Sequence, residues 1–223
     1  MTPPAAMAPR ALVLDFGSVI SRSLFETHDL TERALGLSAG TLTWRGPFDP
    51  HGDALWRAMQ RDEITERYYW MRRTREVGSL LGEHWTEMQQ FVRRARGHDA
   101  MAVIRPEALH TIARARAAGH RLAVLSNELD LFYGADFRER LPFLRDFDAI
   151  VDATYSGILK PDVRAYRAVE QALGLPGAQC VLVDDQRRNV RGALDAGWHA
   201  VHLDVRDPQQ AFEQALAWLA RPA

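Results

Sequence analysis

Polar side chains that are able to do chemistry follow several short apolar segments of this sequence. They are Asp15, Ser126, Asp184 and Asp185. Because ligands of an open parallel sheet bind outside the carboxyl ends of its strands, we expect these distant residues to converge on one edge of a sheet. The adjacent carboxylates of Asp184 and Asp185 indicate a cation at that edge.

Lys160 is the only lysine among the 28 basic residues of the chain. The sequence therefore uses arginine wherever a generic positive charge suffices and keeps a compact ammonium at this position. A planar guanidinium would not occupy the same space, so a specific role for Lys160 beside an anionic group is expected. The alternative is an ordinary surface lysine, since lysine and arginine often interchange on surfaces.

Continuous apolar runs predict strands that are covered on both faces, as in a parallel sheet between helices. The runs lie at residues 11–14, 122–125, 149–151, 181–183 and 200–203. Helical patterns lie between or after them, at residues 107–118, 162–173, 187–196 and 208–219, and the first three end at a glycine. A glycine just past the last apolar turn is the expected stop of a helix. The alternation predicts an α/β fold with a doubly wound, Rossmann-like parallel sheet.

The stretch between residues 21 and 98 breaks this alternation, because it has no comparable strand run and carries amphipathic helical segments at 53–60 and 65–77. We expect it to be a helical cap domain inserted after the first strand. Residues 1–20 and 99–223 would then form the α/β core. Most aromatic side chains of the insertion are expected to pack its own small core, and Arg72 and Arg73 to lie on a solvated helix face.

The composition bounds the partners of the protein. With 28 Lys and Arg against 29 Asp and Glu, the chain has no global basic field to gather nucleic acid or anionic membrane. No apolar stretch approaches the roughly 20 residues of a membrane-spanning helix. A single cysteine, Cys180, excludes an intrachain disulfide and suits a reducing compartment. We expect a cytoplasmic monomer or homodimer that acts on a small molecule without nucleic acid or membrane partners.

Four ordered segments resemble the motifs of the haloacid dehalogenase superfamily. They are LVLDFGSVI at residues 12–20, LSN at 125–127, GILKPD at 157–162, and VDD at 183–185 followed by Asn189. The resemblance in order and spacing extends from about residue 11 to residue 203. The insertion after the first motif resembles a C1-type cap, and the motif pattern is most similar to the sugar-1-phosphate phosphatase branch.

The resemblance implies a hydrolase that cleaves a small phosphate ester with Mg²⁺ as cofactor, and the resemblance to that branch implies a sugar phosphate. Asp15 would be the nucleophile and form an aspartyl-phosphate, which water later cleaves. Ser126 and Lys160 would complete the catalytic set. Together with Asn127, these two residues would also bind the phosphate.

The resemblance also implies a metal site. Its ligands would be Asp15, the backbone carbonyl of Gly17, and Asp185, since Mg²⁺ usually takes one or two protein carboxylates and keeps several waters. Asp184 would either contact the metal or cap the following helix. Asn189 stands where many relatives carry a further acid, so it is expected around the metal ligands rather than among them.

Gly17 departs from the family pattern, because most phosphatases of the superfamily carry an aspartate there as general acid and base. A well-placed proton donor contributes about 10²–10⁴-fold in rate. We therefore expect a substrate with a comparatively good leaving group, such as an anomeric phosphate, or a proton supplied by a cap residue or by water.

Two other functions stay open at this point. A 2-haloacid dehalogenase would use Asp15, Ser126 and Lys160 in an aspartyl-ester mechanism without a metal, and it also lacks an acid at position 17. The paired acids Asp184 and Asp185 argue against it, because they indicate a cation. The third reading is a catalytically silent binding module that kept the fold.

Overall fold

The computed structural model describes residues 10–97 and 99–221. Its strands and helices are, in chain order, β1 (Ala11–Leu14), α1 (His28–Leu35), α2 (Ala54–Gln60), α3 (Glu66–Leu80), α4 (Met88–Arg96), α5 (Pro106–Ala117), β2 (Arg121–Ser126), α6 (Leu129–Tyr133), β3 (Ala149–Asp152), α7 (Val163–Leu173), β4 (Cys180–Asp184), α8 (Arg187–Asp195), β5 (His199–His202) and α9 (Pro208–Leu219). Among these helices, none combines the length and the apolar character needed to cross a membrane.

The strands form one parallel sheet in the order β3-β2-β1-β4-β5. The central strand β1 is fully buried because helices cover both of its faces. On one face, Ala11 and Val13 pack in a cluster with Tyr166 and Val169 of α7, while α5 and α9 contact the strands from the other face. All five predicted strands are present, so the predicted doubly wound α/β fold is confirmed.

The chain divides into two compact units. The first holds the described residues of 1–21, 104–128 and 142–223, which include the whole sheet. The second holds those of 22–103 and 129–141, and all of its labelled elements are helices. The predicted insertion, 21–98, differs from the second unit, which also holds 99–103 and 129–141, two segments that were predicted to belong to the core. Contacts within the unit explain this: the ring of Phe132 packs edge-on against Trp70 at 6.2 Å, and Asp136 pairs with Arg93.

A buried ion pair joins α3 to the start of α2 within the helical unit. Arg73 Nη2 donates to Asp53 Oδ1 at 2.7 Å, and the hydroxyl of Tyr69 donates to the other oxygen of Asp53 at 2.7 Å. Asp53 also begins α2 by accepting a hydrogen bond from the backbone N–H of Trp56. The expectation that Arg73 lies on a solvated face is wrong. Its partner is 20 residues away in sequence, so helical spacing within α3 did not reveal it.

His28 makes the stability of the helical unit depend on pH. Its side chain is only 3% exposed, and its Nδ1 accepts a hydrogen bond from Arg45 at 3.2 Å, which requires a neutral ring. Burial, and then the guanidinium of Arg45, lower the pKa of His28 from the ordinary 6.5 to about 4. His28 therefore binds a proton more tightly in the unfolded chain than in the folded protein. As the pH falls from 6.5 towards 4, His28 becomes protonated in the unfolded chain first, so the free energy of unfolding falls.

Between pH 7 and pH 4, His28 is expected to lower the free energy of unfolding of the wild type by about 3 kcal/mol. The variant His28→Phe should not show this loss. Other groups titrate in the same range, so the measured quantity is the difference between wild type and variant in urea unfolding at each pH. Substitution of the exposed His51 by Phe is the matched control and leaves the slope unchanged. Parallel pH dependences of wild type and His28→Phe would contradict the assignment.

Candidate active site

The acidic residues meet where the chain reverses its direction of travel across the sheet. The chain moves outward from β1 through β2 to β3 and then returns to β4, on the other side of β1. Asp15 follows β1 and Asp184 ends β4, and the backbone N–H of Asp15 donates to the carbonyl of Val183 at 3.0 Å. Such a switch point at the carboxyl ends of strands is where open α/β sheets bind ligands.

Lys160 lies at the centre of the acidic group. Its ammonium donates to Asp15 Oδ1 at 2.9 Å, to Asp184 Oδ2 at 2.7 Å and to the carbonyl of Leu125 at 2.7 Å. The three donors of the ammonium thus have three acceptors, and the side chain is only 1% exposed. Burial would lower the pKa of Lys160, but the carboxylates of Asp15 and Asp184 raise it above its usual range. The reading of Lys160 as an ordinary surface lysine is therefore wrong.

Asp15 is held in an environment that disfavours its charge. Its carboxylate is only 13% exposed. Burial raises the pKa of Asp15 from 3.8 to about 6, while Lys160 opposes this shift and Asp184 adds to it. A carboxylate with little solvation retains its nucleophilic character, and with a pKa of about 6 Asp15 is ionised at neutral pH.

Asp184 is occupied by hydrogen bonds from the protein. Oδ1 accepts from the backbone N–H of Gln186 at 2.8 Å and from Asn189 Nδ2 at 3.0 Å, while Oδ2 accepts from Lys160. The side chain is 0% exposed. Between the two predicted roles of Asp184, this geometry favours a structural one, in which the residue orients Lys160 and the start of α8. Asn189 supports Asp184 as a neutral donor, and a carboxylate at position 189 would repel it.

Ser126 ends β2, and Asn127 follows it and contacts the backbone of Lys160. Both ends of the Asn127 amide hold the backbone of Lys160: Oδ1 accepts from its N–H at 2.7 Å, and Nδ2 donates to its carbonyl at 3.3 Å. This geometry favours a positioning role for Asn127 over the predicted phosphate contact. The hydroxyl of Ser126, in contrast, makes no hydrogen bond within residues 10–97 and 99–221, so it is available to an incoming anion.

Gly17 and Ser18 form the turn that follows Asp15. Gly17 has φ −65° and ψ 134°, a conformation open to any residue, and a Cβ built on it would meet no atom within 4 Å. The backbone therefore does not require glycine here. Ser18 has φ 63°, in the left-handed region that side chains rarely adopt. The turn closes with a hydrogen bond from the N–H of Ser21 to the carbonyl of Phe16 at 2.9 Å.

The donor set fits a hard divalent cation. One oxygen from each of Asp15, Asp184 and Asp185 lies within 4.8 Å of the others. Ligands of Mg²⁺ at 2.0–2.1 Å lie at most roughly 4.2 Å apart, so the group is close to the size required. Three carboxylates against the single ammonium of Lys160 leave two negative charges when all are ionised, which a divalent cation would balance. Because Asp184 is occupied, Asp15 and Asp185 are the carboxylates suited to the ion.

Two residues beside the site were missed by the sequence analysis. His202 Nε2 donates to the backbone carbonyl of Asp185 at 3.0 Å, and burial lowers the pKa of His202, which keeps its ring neutral. Arg105, which is 3% exposed, donates to the carbonyl of Ser18. The adjacency of β4 and β5 predicts that a residue at the end of β5 lies near Asp185. No sequence signal distinguishes Arg105 from the other arginines.

Comparison with known proteins agrees with this architecture. The family model of haloacid dehalogenase-like hydrolases matches residues 10–197. Among curated proteins, the chain is 34% identical over 100 residues to Phosphatase MT3486 of Mycobacterium tuberculosis (strain CDC 1551 / Oshkosh), covering 44% of this chain and 46% of that protein. The chain spans less than half the length of this phosphatase and of four further curated relatives.

Solved structures share the fold at low sequence identity. The HAD-hydrolase YfnB of Bacillus subtilis, solved bound to magnesium, gives a TM-score of 0.68 at 16% identity, covering 96% of this chain and 99% of that chain. The L-2-haloacid dehalogenase of Xanthobacter autotrophicus gives 0.58 at 20% identity, covering 96% and 85%. At these identities the likeness shows the fold alone. The family model, however, covers most of the sequence, and on that ground this chain belongs to the haloacid dehalogenase-like hydrolase family.

Proposed function

We propose that this hydrolase is a Mg²⁺-dependent phosphatase that cleaves a small phosphate ester through an aspartyl-phosphate on Asp15. The observation that carries the proposal is the contact between the buried ammonium of Lys160 and Asp15. A carboxylate that attacks a phosphate must approach a group of its own charge sign. A fixed ammonium within 2.9 Å of the attacking carboxylate lowers that repulsion without reorganisation.

The steps assigned to the protein's own residues are few. A carboxylate oxygen of Asp15 forms a bond to phosphorus as the bond from phosphorus to the leaving oxygen breaks, and the leaving oxygen takes a proton from water. The hydroxyl of Ser126 binds a phosphate oxygen, while Lys160 keeps its hydrogen bond to Asp15 and acts on the phosphate through its positive charge. Water then attacks phosphorus, which releases inorganic phosphate and restores the carboxylate. Asp15, Asp185 and the carbonyl of Gly17 would hold Mg²⁺, which when bound supplies positive charge against the phosphate oxygens.

Sugar 1-phosphates are the substrate class that the residue at position 17 supports best. Gly17 has no proton to give, although the backbone there accepts any residue. An anomeric oxygen leaves more easily than an ordinary alcohol, so its departure depends less on protonation by the enzyme. The curated name of the 34% identical relative, a phosphatase, also supports this class of reaction. The helical unit would serve as a C1-type cap that selects the sugar.

The partners and location follow as part of the same proposal. A hydrolase of small phosphorylated molecules with a formal net charge of −1 has no excess of positive charge for nucleic acid or anionic membrane. We expect a cytoplasmic monomer or homodimer.

Gly17→Asp tests the substrate class. The variant is expected to raise kcat/KM for a sugar 6-phosphate by about 10-fold or more, because it supplies a proton donor to a poor leaving group, and to change the rate with the 1-phosphate much less. Gly17→Asn is the matched control, since it has the same shape and no titratable proton. An aspartate variant that gains no more than the asparagine variant, or a wild-type preference for the 6-phosphate, would contradict the substrate class.

A broader screen tests the reaction itself. Phosphate release is measured across sugar, nucleotide and acyl phosphates, with Mg²⁺ and with EDTA, and activity is expected only with the metal. Halide release from 2-chloropropionate in EDTA would instead indicate a dehalogenase. Ligand binding without turnover of any phosphate ester would indicate a binding module.

A further inference from the structure

We infer that Arg105 is a positioning residue that fixes the direction of the Gly17 carbonyl through the strained turn at Ser18. The inference rests on the proposed function in one respect, which is that the Gly17 carbonyl is a ligand of the metal. Nothing in the family motifs that identify the site includes Arg105, which lies 90 residues after Asp15 in sequence.

The backbone of Arg105 is held in place by its own contacts. Its backbone N–H donates to the carbonyl of Ile20 at 2.9 Å, and the preceding residue, Ile104, pairs with Ser21 in an antiparallel bridge. Pro106 follows, and a residue before proline is restricted to extended conformations, as the φ −70° and ψ 126° of Arg105 show. The start of α5 is thus attached to the segment that follows Asp15.

From this base, the guanidinium reaches the carbonyl of Ser18 with two donors. Nε lies 3.1 Å and Nη2 lies 2.9 Å from that oxygen. Arg105 is only 3% exposed, so both hydrogen bonds are shielded from water. Hydrogen bonds from a charged donor in such surroundings are stronger than neutral ones.

The carbonyl that Arg105 holds belongs to a residue in a strained conformation. Ser18 has φ 63° and ψ −15°. Its hydroxyl makes no hydrogen bond within the described parts of the chain, 10–97 and 99–221, so its own side chain does not compensate for this conformation. Strained backbone persists where the surrounding structure over-determines it. The two hydrogen bonds that Arg105 donates to the carbonyl of Ser18 are such a constraint.

The geometry of the peptide links this strain to the proposed metal site. The φ and ψ angles of Ser18 are the two rotations that relate the Gly17–Ser18 peptide to the Ser18 carbonyl. With the Ser18 carbonyl held by Arg105, φ held at 63° and ψ at −15°, the Gly17 carbonyl has one direction. Relaxation of Ser18 to a negative φ would rotate the Gly17 carbonyl away. Loss of Arg105 is therefore expected to weaken metal binding and to leave the carboxylates in place.

The test uses direct binding of Mn²⁺, measured by electron paramagnetic resonance of the free ion, on the full chain without substrate. Arg105→Met is expected to weaken Mn²⁺ binding about 10-fold or more. Adding Ser18→Gly to that variant is expected to restore most of the affinity, because glycine adopts φ 63° without strain. Adding Ser18→Ala instead is the matched control and restores nothing, since alanine keeps the Cβ that causes the strain.

The outcomes separate this inference from the proposed function. Wild-type affinity in Arg105→Met, or equal rescue by glycine and alanine, overturns the role of Arg105 whether or not the wild type releases phosphate. Absence of phosphate release from every ester overturns the proposed function, and the Mn²⁺ titration still decides the inference. A wild type that binds no Mn²⁺ overturns the inference. If circular dichroism shows that Arg105→Met is unfolded, Arg105→Gln, which is polar but has no charge and no guanidinium, takes its place with the same two Ser18 substitutions and the same criteria.

Discussion

Replacing Asp15 by Asn is expected to lower kcat for phosphate release by at least about 10³-fold, because an amide cannot form the acyl phosphate. The substitution is nearly isosteric, and the amide oxygen can still accept the hydrogen bond that Lys160 donates to Oδ1. The fold and the phosphate-binding groups should therefore remain. The measurement is single-turnover phosphate release with Mg²⁺, using the substrate that the wild type cleaves fastest.

Stability provides the control for this variant. Burial raises the pKa of Asp15 to about 6, so the folded protein bears a cost for the ionised carboxylate at neutral pH. Asp15→Asn removes that cost and, in EDTA, is expected to raise the free energy of unfolding by on the order of 1 kcal/mol at pH 7. The gain should vanish below pH 3.8, where the carboxyl is neutral in both states. A variant that is inactive because it is unfolded would contradict this account.

The second large effect is expected for Lys160→Met, which should lose both activity and stability. Its ammonium is the hydrogen-bond partner of Asp15 and Asp184, and its side chain is only 1% exposed. Removing one partner of a buried charge group leaves the other charges uncompensated, at a cost of about 3–5 kcal/mol. Activity should fall by at least about 10²-fold, because the fixed positive charge beside the phosphate is gone. Urea unfolding and phosphate release measure the two losses.

A double variant separates these two consequences. Lys160→Met with Asp184→Asn removes both members of the more buried pair, so much of the lost stability is expected to return. In the wild type the backbone N–H of Gln186 donates to Asp184, and the amide oxygen of an asparagine at position 184 can still accept that hydrogen bond. Activity should stay low, because the ammonium is still absent. Recovery of activity along with stability would show that Lys160 acts only on folding.

The parts of the fold that follow local rules were predictable from sequence. The strands of the sheet are short continuous apolar runs, and β1 matches its predicted bounds, Ala11–Leu14, because both of its faces are buried. The glycines at 174 and 119 do follow the helices that they were expected to end. The placement of 129–141 in the helical unit was not predictable, because it depends on contacts such as Trp70 with Phe132, which join distant segments.

The site shows the same division. The convergence of Asp15 with Asp184 follows from a parallel sheet, in which the carboxyl ends of the strands share one edge, and the solitary lysine indicated a specific contact at position 160. The hydrogen bonds that determine the role of each side chain could not be predicted from the sequence. The amide of Asn127 holds the Lys160 backbone, although its place in the motif implied a phosphate contact. Arg105 is one arginine among many until its guanidinium is seen on the carbonyl of Ser18.

Trapping the covalent intermediate tests the central claim most directly. The wild type is mixed with its best phosphate ester and Mg²⁺, quenched in acid during the first turnovers, and reduced with borohydride, which converts an aspartyl-phosphate to homoserine. Peptide mass spectrometry is predicted to find homoserine at position 15, and to find none after the same treatment without substrate. Phosphate release with an unmodified Asp15, or homoserine at another aspartate, would contradict the account.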